Sequence, residues 1–114
     1  MNKKLQRIYW KYSGINHIEQ NVPLSTIFPH PIGIIIGGHV KIGEKCRISQ
    51  GVTIGRKSIT EYEQPTIGNN VKIYTNAIIL GNVTLGNNSI IGAGSIILKN
   101  VKPNQTIIGV HKWL

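Results

Sequence analysis

From His30 onward, aliphatic residues return every six positions. Ile or Leu stands at 36, 42, 48, 54, 67, 73, 79, 85, 91 and 97. A small or β-branched residue follows each of them four places later: Val40, Cys46, Val52, Ser58, Val71, Ala77, Val83, Ser89, Ser95 and Val101. Two inward positions per six residues do not make a helix face, which recurs at three and four. They fit the short strands and turns of a parallel β-helix, in which each flat side takes one hexad and stacked coils share an aliphatic core. The run breaks over about residues 56–65 and resumes at "IGNNVK".

The polar places in each hexad read as corners. Gly occupies the second place at 37, 43, 55, 68, 86 and 92, and Asn the third or fourth at 69, 70, 76, 82, 87 and 88. Both residue types tolerate φ > 0, which predicts left-handed backbone at these positions. Cys46 takes a fifth place among Val, Ala and Ser, and so reads as a small core residue rather than a nucleophile. Ahead of the repeat, Leu5, Ile8, Tyr9 and Tyr12 have helical spacing. The expected organisation is an N-terminal segment over 1–17, a hexapeptide-repeat β-helix over 18–110 with a loop excursion at about 56–65, and a tail over 111–114.

Composition narrows the partners. With 114 residues the chain makes one domain. Its 13 Lys and Arg against 4 Asp and Glu, a formal charge of +9, favour an anionic partner: nucleic acid, an acidic membrane surface or a phosphate-bearing ligand. The cations are spread through the chain with no aromatic platform, helix-turn-helix pattern or basic stripe, which argues against nucleic acid. A single cysteine excludes an intramolecular disulfide and suits a reducing cytoplasm. No segment approaches the roughly 20 apolar residues of a membrane span, and "MNKKLQRIYWKYSG" lacks the apolar stretch of a signal peptide. Four scattered histidines and one cysteine do not supply a zinc site, so no metal is expected.

The repeat [Ile/Leu]-Gly-x-x-[Val/Ala/Ser/Cys]-x resembles that of the hexapeptide-repeat acyltransferases, whose fold is a left-handed parallel β-helix. More closely, "HPIGIIIGGHVKIGEKCRISQGVTIG" and "PTIGNNVKIYTNAIILGNVTLGNNSIIGAGSIILKNVKPNQTIIGV" are similar to serine acetyltransferases and to the O-acetyltransferases of surface polysaccharide synthesis. The resemblance covers about residues 14–110. It implies acetyl-CoA as donor and His30, in "HPIG", as the general base. A positioned imidazole that takes the proton of a hydroxyl as it attacks a thioester contributes typically 10² to 10⁴ in rate.

Departures from that family bear on the acceptor. The acidic residue that orients the histidine falls on Ile15, with Asn16 beside it, which leaves Glu19 or a backbone carbonyl for that task. An Asp that precedes the histidine in serine acetyltransferases is Pro29 here, and the Arg-His-Pro of a family loop is Glu63, Gln64, Pro65. Pro29, Glu63 and Gln64 are accordingly the candidate acceptor contacts, and the acceptor reads as a sugar hydroxyl, with free serine as the alternative. A non-catalytic β-helix scaffold is the alternative of another class.

For coenzyme A, the resemblance points to Gly55, Thr75, Ala77, Gly81, Ala93 and Gly94 along the groove between neighbouring β-helices of a homotrimer. Small side chains there leave room for a pantetheine arm against the backbone. Lys99, Lys102 and Lys112 are candidates for its phosphates. The end "GVHKWL" departs from the family's usual "GVPA" followed by a basic residue.

Overall fold

A computed structural model describes residues 2–113, apart from the side chains of residues 11 and 12. Among these residues one helix precedes thirteen strands of two or three residues, all paired in parallel. The first face stacks β1 (His17–Ile18), β2 (Ile35–Ile36), β5 (Thr53–Gly55), β8 (Ile78–Leu80), β11 (Ile96–Ile97) and β13 (Val110–His111). The second stacks β4 (Arg47–Ile48), β7 (Lys72–Ile73), β10 (Ile90–Ile91) and β12 (Thr106–Ile107). The third stacks β3 (Lys41–Ile42), β6 (Thr66–Ile67) and β9 (Thr84–Leu85). The chain visits the three faces in turn, so three hexads close one coil.

Register follows from that count. Ile36 pairs with Ile54, eighteen residues on, and Ile79 with Ile97 by the same step. Ile54 pairs with Ile79 only after twenty-five, because the excursion after Gly55 is looped out and the coil then resumes in register. The first hexad place fills the core: Ile36, Ile48, Ile54, Ile73, Ile79, Leu85, Ile91 and Ile97 are wholly buried, and Ile42 is half-buried. The fifth place lies beside it, with Val52, Val71, Ala77, Ser89 and Ser95 also wholly buried. Ser58 is the exception; it is exposed in the excursion, since the hexad pattern stops at Gly55. Cys46 packs in the core, with its Sγ donating to the Gly68 carbonyl at 3.1 Å.

The corners correct one expectation. Left-handed backbone falls mostly at the fourth place, at Gly33, Lys45, Gly51, Asn70, Asn76, Asn88 and Gly94, and at Gly81 in a third place, while the second-place glycines and Asn69, Asn82 and Asn87 keep ordinary φ. Their role is steric. A Cβ on Gly43 would stand 2.6 Å from the Gly68 carbonyl oxygen, and one on Gly68 would stand 2.9 Å from that of Leu85. Coils approach so closely there that any side chain would force them apart. Neighbouring asparagines join coil to coil: Asn87 Oδ1 accepts from the Asn69 amide at 2.7 Å, and Asn70 Nδ2 donates to Asn88 Oδ1 at 2.8 Å.

Helix α1 (Lys3–Tyr12) is capped by Asn2, whose Oδ1 accepts from the Leu5 amide at 2.9 Å. It lies on the first coil through Trp10, edge-on to Phe28 with ring centroids 5.7 Å apart, and through Arg7. The Arg7 guanidinium stands 4.5 Å from the Phe28 ring centre and donates to the Thr26 carbonyl at 2.6 Å. Leu5, Ile8 and Tyr9, the stripe that the spacing singles out, stay about half exposed, with Ile8 on the rim of a cleft between helix and coil. Tyr12, the fourth residue of that stripe, has its side chain outside the described residues.

Outward residues differ from face to face. The first presents Ile35, Thr53, Ile78, Ile96 and Val110 in one line. The second presents Arg47, Lys72, Ile90 and Thr106, and the third Lys41, Thr66 and Thr84.

Candidate active site

His30 sits on a turn between two prolines, where the Ile32 amide donates to the His30 carbonyl at 2.8 Å. The turn is held from beneath by Asn16, which is buried. Asn16 Nδ2 donates to the Pro31 carbonyl at 2.7 Å, and its Oδ1 accepts from the Ile34 amide at 2.9 Å. The imidazole itself is exposed, and among the described residues no group hydrogen-bonds to its ring. Glu19, one of the two candidates for orienting it, is engaged elsewhere. Its carboxylate lies 2.8 Å from His17 Nε2 and accepts from the Gly38 amide at 3.1 Å. The His17 hydrogen bond, and then that from Gly38, hold the Glu19 carboxyl below its ordinary range.

A depression of about 540 Å³ opens beside His30, lined by Ile32, Gly33, Gln50, Gly51 and Asn76. It follows one edge of the β-helix, where the second face turns into the first. Along this edge the Gly33 amide donates to Ile15, Gly51 to Ile32, Asn76 to Gln50 and Gly94 to Thr75, at 2.8 to 3.0 Å. Residues 33, 51, 76 and 94 share left-handed backbone with φ of 60 to 70°. Each coil therefore turns the same way at the same height, leaving a shallow trough that begins at His30.

The candidate coenzyme A residues divide between two edges. Thr75, Ala93 and Gly94 lie on the His30 edge. Gly55 and Gly81 lie where the first face ends, joined by a hydrogen bond from the Gly81 amide to the Gly55 carbonyl at 2.9 Å. Lys99 follows β11 on that same side and stands 5.3 Å from the Trp113 ring centre. Lys112 is exposed beyond β13. The Ala77 side chain points into the core, so only its backbone is available to a ligand.

Of the candidate acceptor contacts, Pro29 flanks His30, and Glu63 is exposed in the excursion. Gln64 caps a turn on the far edge, its Oε1 accepting from the His39 amide at 3.2 Å. Within one chain neither Glu63 nor Gln64 lines the depression. Gln50 and Asn76, which do line it, escape a reading by hexads alone; the eighteen-residue coil is the signal that aligns them with His30. Among the described residues no group of three or more His, Cys, Asp or Glu side chains could hold a metal ion.

Residues 64–99 match the family model described as bacterial transferase hexapeptide (six repeats). A serine acetyltransferase of Staphylococcus xylosus is 39% identical over 101 residues, covering 87% of this chain and 47% of its own length. The "Putative colanic acid biosynthesis acetyltransferase WcaB" of Escherichia coli (strain K12) is 42% identical over 80 residues, 70% of this chain and 49% of its own. Among solved structures, Neisseria gonorrhoeae serine acetyltransferase in complex with serine superposes with a TM-score of 0.69 at 36% identity, covering 75% of this chain and 35% of that one. A serine acetyltransferase in complex with CoA superposes with a TM-score of 0.66 at 34% identity, covering 71% and 33%. The chain spans about half the length of the curated relatives it matches. It is a left-handed parallel β-helix of bacterial transferase hexapeptide repeats, of the kind found in serine acetyltransferases and related O-acetyltransferases.

Proposed function

We propose that this chain is an acetyl-CoA-dependent O-acetyltransferase with His30 as its general base. The observation that carries the reading is the exposed His30 imidazole, with no protein partner on its ring, at the head of the trough along the Gly33, Gly51, Asn76 and Gly94 edge. In that setting a ring nitrogen takes the proton of an acceptor hydroxyl while the oxygen attacks the thioester carbonyl. The C–O bond forms, the C–S bond breaks, and the imidazolium returns the proton to the departing thiolate. No acyl-enzyme is required. The thioester arm runs from His30 past Thr75 and Gly94, and Lys99 and Lys112, on the opposite edge, serve the phosphates from a neighbouring copy.

The assembly is a homotrimer. The mostly apolar line Ile35, Thr53, Ile78, Ile96 and Val110 on the first face supports it, because such a surface favours burial against another copy. A neighbouring subunit also offers the route by which Glu63 and Gln64 reach an active site. The acceptor is a saccharide hydroxyl. Pro29 in place of an acid, and Glu63 and Gln64 in place of the Arg and His of the family loop, remove contacts suited to the ammonium and carboxylate of free serine.

Calorimetric titration with acetyl-CoA, followed by thiol-release assays with His30→Ala, tests the reading. Saturable binding with turnover reduced about 10² to 10⁴-fold in the variant supports it. Absence of binding at millimolar ligand, with the trimer assembled, returns the chain to a scaffold role. Serine-dependent release without saccharide-dependent release would reverse the acceptor assignment alone.

A further inference from the structure

We infer that the exposed side of α1, together with the cleft it shares with the first coil, is a docking surface for an anionic lipid bilayer. Leu5, Ile8 and Tyr9 stand at i, i+3 and i+4 and are 52, 54 and 55% exposed. A helix of ten residues is stabilised mainly by the face it buries, and here Arg7 and Trp10, rather than this aliphatic stripe, face the coil. Beside Ile8 a cleft of about 500 Å³ separates α1 from the first coil. Its walls include Ile18, Val22 and Leu24, its cations are Lys4 and Arg7, and no carboxylate lines it. Leu24, 43% exposed, carries the apolar surface from the helix into the cleft.

Charge decides the occupant. The helix contains no Asp or Glu, and Lys3 and Lys4 are exposed at its start. Two of the four acids in the chain, Glu19 and Glu44, already hydrogen-bond to His17 and Ser25. A second copy docked face to face would bring together two helices that each carry cations and no acid. Nucleic acid would satisfy the cations but leave Leu5, Ile8 and Tyr9 in water. An acidic membrane surface satisfies both, since headgroups meet the lysines while the apolar residues enter the acyl boundary. Tyr9, apolar in its ring and polar at its tip, suits that depth. The docking is peripheral, because no described helix is long and apolar enough to cross a membrane. It is independent of the proposed catalysis.

Co-sedimentation of the full chain with phosphatidylcholine vesicles, with and without phosphatidylglycerol, tests the inference. Binding to the anionic vesicles should exceed that to neutral ones about tenfold or more and weaken several-fold between low and high salt. Leu5→Glu/Ile8→Glu should abolish it, and Lys3→Ala/Lys4→Ala should lower it roughly tenfold. All four side chains are exposed, so circular dichroism should be unchanged; if the first variant loses structure, the lysine variant decides the question. Equal binding to both vesicles, or none to either, overturns the inference. So does a fall in oligomeric state of Leu5→Glu/Ile8→Glu in sedimentation velocity, which would assign the face to a second copy.

Discussion

Asn16 Nδ2 donates to the carbonyl of Pro31 at 2.7 Å, tying the first coil to the turn that carries His30. With Asn16 Oδ1 accepting from Ile34, one buried side chain satisfies a backbone acceptor and a backbone donor on either side of Gly33. Asn16→Ala leaves both unsatisfied and should cost about 1–3 kcal/mol in denaturant unfolding. Asn16→Asp keeps the acceptor for Ile34 but sets an oxygen against the Pro31 carbonyl. Its stability should therefore improve as pH falls and the carboxyl becomes a donor, a trend that unfolding at two pH values will read.

Gly43 and Gly55 occupy the same place in their hexads but face different surroundings. A Cβ on Gly43 meets the Gly68 carbonyl oxygen at 2.6 Å, whereas one on Gly55 meets nothing within 4 Å. Gly43→Ala should destabilise by about 1–3 kcal/mol through forced separation of coils. Gly55→Ala should stay within about 0.5 kcal/mol of the parent. Any loss of CoA affinity in Gly55→Ala, measured by calorimetry at unchanged thermal stability, would then report a ligand contact.

Cys46 should resist alkylation at neutral pH until the chain unfolds. Burial pushes its thiol pKa up, because the thiolate would lose its hydration in the core. Linkage gives the sign: the unfolded chain releases this proton at lower pH than the folded one. The thiol's contribution is thus complete below the ordinary thiol range and is lost as pH rises from there through the raised folded value. Alkylation rates with and without denaturant check the first statement, and alkaline unfolding of Cys46→Ala beside the parent checks the second.

Glu19 acts at the other end of the pH scale. Its carboxyl is held low by His17 and the Gly38 amide, so the folded state favours the ionised form. The parent should exceed Glu19→Gln in stability above the ordinary carboxylate range, and the gap should close as pH falls through the lowered value. Both groups are largely exposed, so the gap will be small and will shrink with salt. Thermal melts across the acid range provide the comparison.

The hexad pattern makes the in-or-out choice at nearly every core position legible. Ile36, Ile54, Ile79 and Ile97 recur at the first place, and all four are wholly buried. That choice is local, since alternation along a short strand decides which side chains face inward. Ser58 is the exception because the hexad count runs on past Gly55, where the chain leaves the coil.

Other features depend on residues a full coil apart. The period shows six, but only three hexads to a coil, with the excursion looped out, align 33, 51, 76 and 94 beneath His30 and bring Gln50 and Asn76 beside it. The second-place glycines are needed for contacts with the next coil, not for their own φ, and no local pattern carries that information. Glu19 is engaged by His17 because two residues along a strand bring both side chains to one face. Likewise α1 is legible as a helix, but its inward side is not: stacking Arg7 and Trp10 on Phe28 requires the first coil to be closed. Sequence periodicity determines which side chains are buried, because burial follows from local alternation. Which residues share an edge is decided by the coil, because that depends on the turns that return the chain to itself eighteen residues later.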